Sequence, residues 1–276
     1  MIKVAETNEL VVGGRTVQGL VLHDEEGTQV TLPKSEVTGE LKPGDTITVF
    51  VYTGAEHVYL ATTRVPKLKA GEFGFLKVKD VNDQGAFMDW GIAKDLFVPF
   101  SEQAKKMVPG KHYLVYLFID SRNGRALASS KIEKFIERDV LTVNEKEEVE
   151  ILLCEETDLG IKVIVNNKHA GVLYHNEIFT EIRIGEKRKA YIKRIREDRK
   201  IDVSLERSGF GRVDPGTRRI LELLKKNNGF LNLHDNSTPE EIKEHLQMSK
   251  KTFKKAVGAL YKQRLISLDG DGIRLL

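Results

Sequence analysis

The sequence predicts a mainly β chain of three consecutive small β-barrels, followed by a C-terminal α+β domain. Three sequence landmarks recur in the same order three times, and the segments between them have the composition of short strands. After residue 210 the apolar residues follow a helical spacing instead. A length of 276 residues with 40% hydrophobic residues allows several small modules, each with a packed core.

The first landmark is a Pro or aromatic residue followed shortly by Glu, the second is a Gly turn, and the third is a small or hydroxyl pair in a closing strand. The first landmark begins at Pro33, Pro99 and Tyr174, and the second at Gly44, Gly110 and Gly185. Both move by 66 residues to the second copy and by 75 to the third. The third landmark is Ala61-Thr62, Ala128-Ser129 and Val203-Ser204. Landmarks that move together indicate three copies of one module.

Each copy is predicted to contain about five short strands. The segments TITVFVYT, HYLVYLFID and RKAYIKRI are rich in β-branched and aromatic residues, and turn signals such as Asn123-Gly124 separate the strands. A module of this size must close its sheet or pack it on a neighbour, because open strand edges invite association. A five-stranded Greek-key barrel of the OB type meets this requirement. The predicted barrels are residues 1–66, 67–140 and 141–210.

Residues 211–276 are predicted to form a winged helix. Helix starts are expected at Asp214-Pro215, Ser237-Thr238 and Ser249, and two short strands surround the turn at Asp269-Gly270. The third helix lies in the recognition position and carries four lysines near its start: Lys250, Lys251, Lys254 and Lys255. These lysines are candidate phosphate contacts. The alternative is a solvated face on a domain that binds protein.

The second copy contains five characteristic segments: Asp83-Gln84-Gly85-Ala86-Phe87-Met88, Leu96-Phe97-Val98-Pro99-Phe100-Ser101-Glu102, Pro109-Gly110-Lys111, Phe118-Ile119-Asp120 and Arg125-Ala126-Leu127-Ala128-Ser129. Through these segments it resembles an S1-type RNA-binding domain. The third copy matches more loosely, and the first mainly through its position and landmarks. The resemblance implies a surface that binds single-stranded RNA.

This resemblance assigns roles to three residues of the second copy. Phe87 would lie on the outer face and stack on a base, although alternation alone also allows a core position. Asp120 would bond a base or sugar edge, or buttress Arg125, which would contact phosphate or stack. Lys77 and Lys79 alternate with apolar residues, so they should point outward together, and they are candidate RNA contacts.

The sequence also departs from the S1 pattern. Gln84 replaces the first aromatic residue of the usual Phe-Gly-x-Phe, and Pro99 replaces the loop histidine. The first copy has Val21 and Pro33 at the contact positions, and residues 1–66 carry a net charge of −4. We therefore expect the first copy to pack against its neighbour or to hold a protein partner.

In the third copy, Lys162, Tyr174 and Lys200 take the positions of the family's Phe, His and Arg. They accompany a dense basic run: Arg183, Lys187, Arg188, Lys189, Lys193, Arg194, Arg196, Arg199 and Lys200. The run predicts a surface that follows phosphates, with Lys193, Arg194 and Arg196 among the contacts. The alternative is a set of strands joined by cross-strand ion pairs.

The sequence shows no signal for catalysis or for a cofactor. The seven histidines are scattered without metal-ligand spacing, and no phosphate-binding loop or nucleophile elbow occurs. We therefore expect no catalytic residues, no metal site and no cofactor. Without an 18-residue apolar run or a secretory signal, and with Cys154 as the single cysteine, the chain is predicted to be cytoplasmic and not membrane-associated.

Taken together, three S1-like copies and a winged helix resemble the conserved virulence factor B family of bacterial RNA-binding regulators. The resemblance covers essentially the whole chain. It implies a non-enzymatic protein that binds single-stranded RNA and controls gene expression after transcription, with virulence genes among its candidate targets. Two alternatives are a DNA-binding transcription regulator acting through the winged helix, and an interaction scaffold on the ribosome or an RNA-processing machine.

Overall fold

The computed structural model describes residues 1–37, 39–54, 58–178, 180–206, 215–262 and 264–276. The chain divides into two compact units, Met1–Arg207 and Ser208–Leu276. Three closed five-stranded barrels form the first unit, and the second contains three helices and a small sheet. This architecture confirms the predicted fold class. The domain boundaries at residues 66, 140 and 210 stay predictions. Residues 207–214, which include Asp214 of the first expected helix start, lie outside the described residues.

The first barrel shows the strand order that all three share. Its strands are β1 (Glu6–Arg15), β2 (Gly19–His23), β3 (Gln29–Pro33), β4 (Thr46–Thr53) and β5 (Tyr59–Thr62). They pair in the order β1-β2-β3-β5-β4, and β4 closes the barrel on β1. Only β3 and β5 are parallel among these pairs. Closure leaves no open sheet edge, which was the physical reason for predicting a barrel.

The second and third barrels repeat this order. The second consists of β6 (Phe73–Val81), β7 (Gly85–Met88), β8 (Leu96–Pro99), β9 (His112–Asp120) and β10 (Arg125–Ser129). The third consists of β11 (Glu148–Thr157), β12 (Gly160–Val165), β13 (His169–Tyr174), β14 (Lys187–Ile195) and β15 (Ile201–Ser204). A short 3₁₀ turn follows the third strand of every barrel, at Lys34–Glu36, Phe100–Glu102 and His175–Glu177.

The glutamate of the first landmark bonds the hydroxyl residue of the third landmark in every barrel. Thr62 Oγ1 donates to Glu36 Oε2 at 2.8 Å, and Ser204 Oγ donates to Glu177 Oε2 at 2.9 Å. In the second barrel, Ser129 Oγ donates instead to the carbonyl oxygen of Glu102 at 3.3 Å. These bonds tie the turn after the third strand to the closing strand, so the two landmarks recur together because they are one contact.

Gly19, Gly85 and Gly160 begin the second strand of each barrel and form a further landmark that composition alone did not reveal. A Cβ atom on these residues would lie 2.0, 2.3 and 2.3 Å from the carbonyl oxygen facing them on the third strand. Only glycine allows such an approach between backbones. The spacing of these three residues is again 66 and 75.

The first and second barrels share a packed interface. Phe50 and Tyr52 point outward from β4 and join the core cluster of the second barrel together with Leu68 and Trp90. The rings of Phe50 and Trp90 meet edge to face with centroids 5.4 Å apart, and Trp90 Nε1 donates to the Leu68 carbonyl oxygen at 2.8 Å. The first barrel therefore packs against its neighbour, one of the two roles predicted for it.

The second and third barrels meet around Phe73, which is fully buried with Leu152 and Ile164 of the third barrel. Asn167, in the turn between β12 and β13, fixes this contact through its side-chain amide. Its Oδ1 accepts a hydrogen bond from the Phe73 backbone N–H at 2.8 Å, and its Nδ2 donates to the Gly71 carbonyl oxygen. The amide thus both accepts from and donates to the backbone of the second barrel, as the peptide groups of a neighbouring strand do.

The second unit has the predicted winged-helix elements. Its helices are α1 (Pro215–Lys226), α2 (Pro239–Leu246) and α3 (Lys250–Lys262), and its strands β16 (Phe230–Leu231), β17 (Ile266–Asp269) and β18 (Gly272–Leu275) pair in the order β16-β18-β17. Thr238 and Glu241 form a capping box that starts α2 as expected. None of the helices in the described part of the chain has the length and apolar content needed to cross a membrane.

Candidate nucleic-acid interface

An aromatic row crosses the outer face of the second barrel. Phe87 on β7 is paired with Phe97 on β8, Phe97 with Leu127 on β10, and Leu127 with Phe118 on β9. We call these four residues the aromatic row. Because side chains alternate between the two faces of a strand, residues on either side of the row, such as Ala86, point into the core.

The rings of the aromatic row remain partly exposed. Phe87 and Phe97 lie with centroids 5.0 Å apart and ring planes 36° apart, and Phe118 lies 5.4 Å from Phe135, which belongs to a 3₁₀ turn. Phe87 is partly exposed and does not belong to the core cluster. The alternative core position for Phe87 is therefore wrong, while its contact with RNA stays a prediction.

Lys77 and Lys79 both point outward, in agreement with the alternation of the strand. Lys79 is the extra residue of a β-bulge in β6, opposite the start of the aromatic row. Its ammonium forms an ion pair with Asp95 at 2.8 Å, and this hydrogen bond raises the pKa of Lys79. No ion pair of Lys77 is found among the residues that the structure describes, whereas Lys79 would have to exchange its partner before contacting another anion.

Asp120 does not buttress Arg125, which was one of the two roles predicted for this carboxylate. Its two carboxylate oxygens accept hydrogen bonds from the guanidinium of Arg122 at 3.1 and 3.0 Å, and one of them also accepts from Asn123 Nδ2 at 3.2 Å. These contacts, led by Arg122, lower the pKa of Asp120. The tight turn between β9 and β10 brings Arg122 back over the carboxylate, so the buttressed arginine is Arg122. Arg125 remains exposed.

In the third barrel, three of the four positions equivalent to the aromatic row carry charged residues. Lys162, Val172, Asp202 and Arg194 are paired across β12, β13, β15 and β14 in the same order as the aromatic row. Lys162 forms an ion pair with Glu155 at 2.8 Å. The guanidinium of Arg196 contacts Asp202 at 3.0 Å and donates to the Tyr174 hydroxyl. The predicted residues Lys162, Tyr174, Arg194 and Arg196 therefore lie on one face.

Most of the basic run of the third barrel is already paired with carboxylates. Six of its nine cations form ion pairs: Lys187 with Glu150, Arg188 with Glu186, Lys189 with Glu148, Lys193 with Glu177, Arg196 with Asp202 and Lys200 with Asp198. The pairs Lys187–Glu150 and Lys189–Glu148 join the neighbouring strands β14 and β11, as the ion-pair alternative describes, whereas contact of the basic run with phosphates stays a prediction. Among described residues, no ion pair is found for Arg194. Exposed pairs contribute only about 0.2–1 kcal/mol each, so phosphates can still displace the carboxylates.

Two family models and several relatives match this chain. Residues 6–64 match the model described as S1 domain, and residues 218–275 match the model described as CvfB-like winged helix domain. Conserved virulence factor B from Staphylococcus aureus strain NCTC 8325 / PS 47 is 30% identical over 259 residues, which cover 90% of this chain and 86% of that protein. The protein of the same name from strain bovine RF122 / ET3-1 gives the same identity and coverage. This chain belongs to the conserved virulence factor B family.

Two solved structures are also similar to the chain. A Streptococcus pneumoniae TIGR4 structure, described as a multidomain protein with nucleic acid binding domains, is 24% identical with a TM-score of 0.40 and covers 99% of this chain and 98% of its own. A structure described as drosophila Unr CSD456 is 13% identical with a TM-score of 0.20 and covers 74% of this chain and 98% of its own.

In this member of the conserved virulence factor B family, the S1 match falls on the first barrel. That barrel has Val21 and Pro33 at the positions where the S1 pattern has an aromatic residue and a histidine. The residues equivalent to the aromatic row are Val21, Thr31, Leu60 and Tyr52, paired across β2, β3, β5 and β4. Leu60 and Tyr52 pack against the second barrel. The first barrel therefore has the S1 module without an exposed aromatic platform.

The family's winged helix presents three of its four predicted lysines to solvent. Lys251, Lys254 and Lys255 are exposed on α3, while Lys250 is half-buried. Lys254 lies 3.7 Å from Asp235. Lys251 and Lys255 are four residues apart and therefore share one face of the helix. No ion pair is found for these two within the described ranges.

Sequence reasoning did not single out Phe97, whose ring contacts Phe87, or Phe118 at the other end of the aromatic row. Strand alternation was a usable signal, since Phe97 and Phe87 each lie between residues of the core.

Burial raises the pKa of Cys154 to about 12, so this thiol stays protonated at neutral pH. In the part of the chain that the structure describes, no group of three His, Cys, Asp or Glu residues is placed to hold a metal ion.

Proposed function

We propose that this member of the conserved virulence factor B family is a non-enzymatic, cytoplasmic protein that binds single-stranded RNA. The S1 match supports nucleic-acid binding. The observation that carries the preference for unpaired RNA is the partly exposed aromatic row of the second barrel. Bases of a duplex are stacked on one another, whereas unpaired bases are free to stack on protein rings.

The dimensions of the aromatic row suit more than one base. It spans four neighbouring strands, and three steps of about 4.8 Å give a length of about 14 Å. Stacking contributes about 1–3 kcal/mol per base and tolerates any base, because every base has a flat π face. The surface therefore favours binding with little sequence preference.

The cations of the second and third barrels supply phosphate contacts in this proposal. Lys77, Arg125 and Arg194 are exposed and carry no ion pair among the described residues. Lys162, Lys193 and Lys200 contribute after release of their carboxylate partners. We further propose that the bound RNA is regulated after transcription, with virulence genes among the candidate targets, in line with the name of the S. aureus relatives.

Binding should depend on salt and on strandedness. We expect the intact chain to bind an unstructured RNA more tightly than a duplex DNA of equal length. The logarithm of its affinity for RNA should fall with the logarithm of salt concentration, with a slope of roughly −0.7 per phosphate contacted. Fluorescence anisotropy over a salt series measures both. Equal or tighter binding to the duplex would contradict the proposal.

A second candidate function is duplex DNA binding through the winged helix, favoured by exposed Lys251 and Lys255 on α3. The double variant Lys251→Gln/Lys255→Gln in the full chain separates it from RNA binding by the barrels. If α3 tracks duplex phosphates, the variant should lose duplex affinity and lower the duplex salt slope by about 2, while affinity for single-stranded RNA changes little. An unchanged duplex affinity in gel shifts would remove this candidate.

A further inference from the structure

One residue of the first barrel contacts two cationic elements of the second. Thr53, the last residue of β4, accepts a hydrogen bond from the Lys94 ammonium through its carbonyl oxygen. Its hydroxyl donates to the carbonyl oxygen of Gly124 at 3.2 Å, and Gly124 precedes Arg125. Lys94 lies in the loop between β7 and β8, and Arg125 begins β10. Thr53 thereby holds in place the segments that carry both cations.

Lys94 and Arg125 differ from the other cations near this end of the second barrel. Lys67, Lys79 and Arg122 each form an ion pair, with Asp89, Asp95 and Asp120 respectively. Across the described residues, no carboxylate lies within ion-pair distance of Lys94 or Arg125. The hydrogen bonds of Thr53 to the Lys94 ammonium and to the Gly124 carbonyl oxygen bring Arg125, the residue after Gly124, near Lys94. In agreement with this placement, desolvation lowers the pKa of Lys94, and the positive charge of Arg125 lowers it further.

The position of this pair suits a strand lying on the aromatic row. Arg125 precedes Leu127 by two residues on β10, so both side chains leave the same face of the sheet. Both Lys94 and Arg125 are exposed. An anion placed between these two cations offsets their repulsion and accepts charge-assisted hydrogen bonds from both.

We propose that Lys94 and Arg125 form a phosphate-binding site, assembled by Thr53 of the first barrel, for a backbone phosphate of the RNA strand stacked on the aromatic row. The identity of the phosphate as RNA rests on the proposed function. The first barrel then contributes to binding as a positioning element, although it has no platform of its own. Lys94 and Thr53 match no S1 contact position, and their role follows only from the junction of the two barrels.

The variant Lys94→Gln tests the charge of the site in the full chain. Glutamine keeps an N–H for the Thr53 carbonyl oxygen and removes the positive charge. We expect the salt slope for an unstructured RNA to become shallower by about 0.7, with weaker binding at low salt. Quenching of 2-aminopurine in the RNA, which reports stacking, should persist at saturation. Lys42→Gln removes an exposed lysine of the first barrel and should leave the slope unchanged.

The variants Thr53→Val and Thr53→Ser test positioning. Valine keeps the shape of this buried side chain but removes its hydrogen bond to Gly124, whereas serine keeps the hydroxyl. We expect Thr53→Val to weaken RNA binding and to make the salt slope shallower. Thr53→Ser should keep the wild-type affinity and salt slope. Equal losses in the two variants would show a packing role only and would overturn the role of Thr53.

A titration with sodium pyrophosphate separates this site from the proposed function. If the intact chain binds RNA, the salt slope of Lys94→Gln tests the phosphate site, and an unchanged slope overturns it. If the intact chain binds no RNA, the proposed function fails. The phosphate site is then tested by NMR shifts of the Lys94 and Arg125 side chains on adding pyrophosphate at constant ionic strength. Shifts confined to these side chains support a phosphate site, and their absence overturns it.

Discussion

Replacing Phe87 with alanine is expected to weaken binding of single-stranded RNA by about 1–3 kcal/mol, a loss of roughly 5- to 150-fold in affinity. The ring is partly exposed beside Phe97 and lies outside the core cluster, so the variant should keep its fold. Fluorescence anisotropy with an unstructured RNA at fixed salt measures the loss. Circular dichroism shows whether the barrels remain intact.

Phe100→Ala is the matched control for this prediction. Phe100 is 44% exposed in the 3₁₀ turn after β8 and does not belong to the aromatic row. Its removal should change RNA affinity little, while Phe87→Tyr should keep most of the stacking. Wild-type affinity in folded Phe87→Ala would show that bases do not stack on this row.

Phe73→Ala is expected to lower the free energy of unfolding by about 3–5 kcal/mol. The side chain is fully buried between the second and third barrels, 4.6 Å between ring centroids from Tyr116 and in one cluster with Leu152 and Ile164. Alanine would leave a cavity that two barrels must share. Urea denaturation followed by circular dichroism measures the change.

The same exposed Phe100→Ala variant provides the stability control, because surface substitutions usually change stability by less than about 0.5 kcal/mol. A cost for Phe73→Ala as small as that of Phe100→Ala would mean that the barrels do not depend on this contact. A loss confined to the transition of the second and third barrels would locate the effect at their interface.

The barrels could be predicted because the landmarks that mark them are contacts within each barrel. Glu36 bonds Thr62 across the module, and Glu177 bonds Ser204 in the same way. The two contacting residues are 26 or 27 positions apart in every copy, so the repeat was visible without a structure. The outward position of Phe87 was also predicted, but from the S1 resemblance, because strand alternation alone left both faces open.

Partners of charged side chains were not accessible in this way. Which carboxylate faces a lysine depends on strand register, and bulges at Lys79 and Lys193 shift that register by one residue. The sequence alone therefore could not show which cations of the third barrel's basic run are paired, and the structure pairs six of them. Lys94 gave no signal at all, since its neighbour Thr53 belongs to another module.

The side-chain amide of Asn167 should affect how the affinity for an oligonucleotide depends on its length. Because it joins the second barrel to the third through backbone hydrogen bonds, the surfaces of these two barrels are preorganised relative to each other. An RNA strand already bound to one barrel would meet the other barrel at a high effective concentration, because no flexible linker between the barrels has to be ordered first. Avidity should therefore appear abruptly once an oligonucleotide is long enough to reach both barrels.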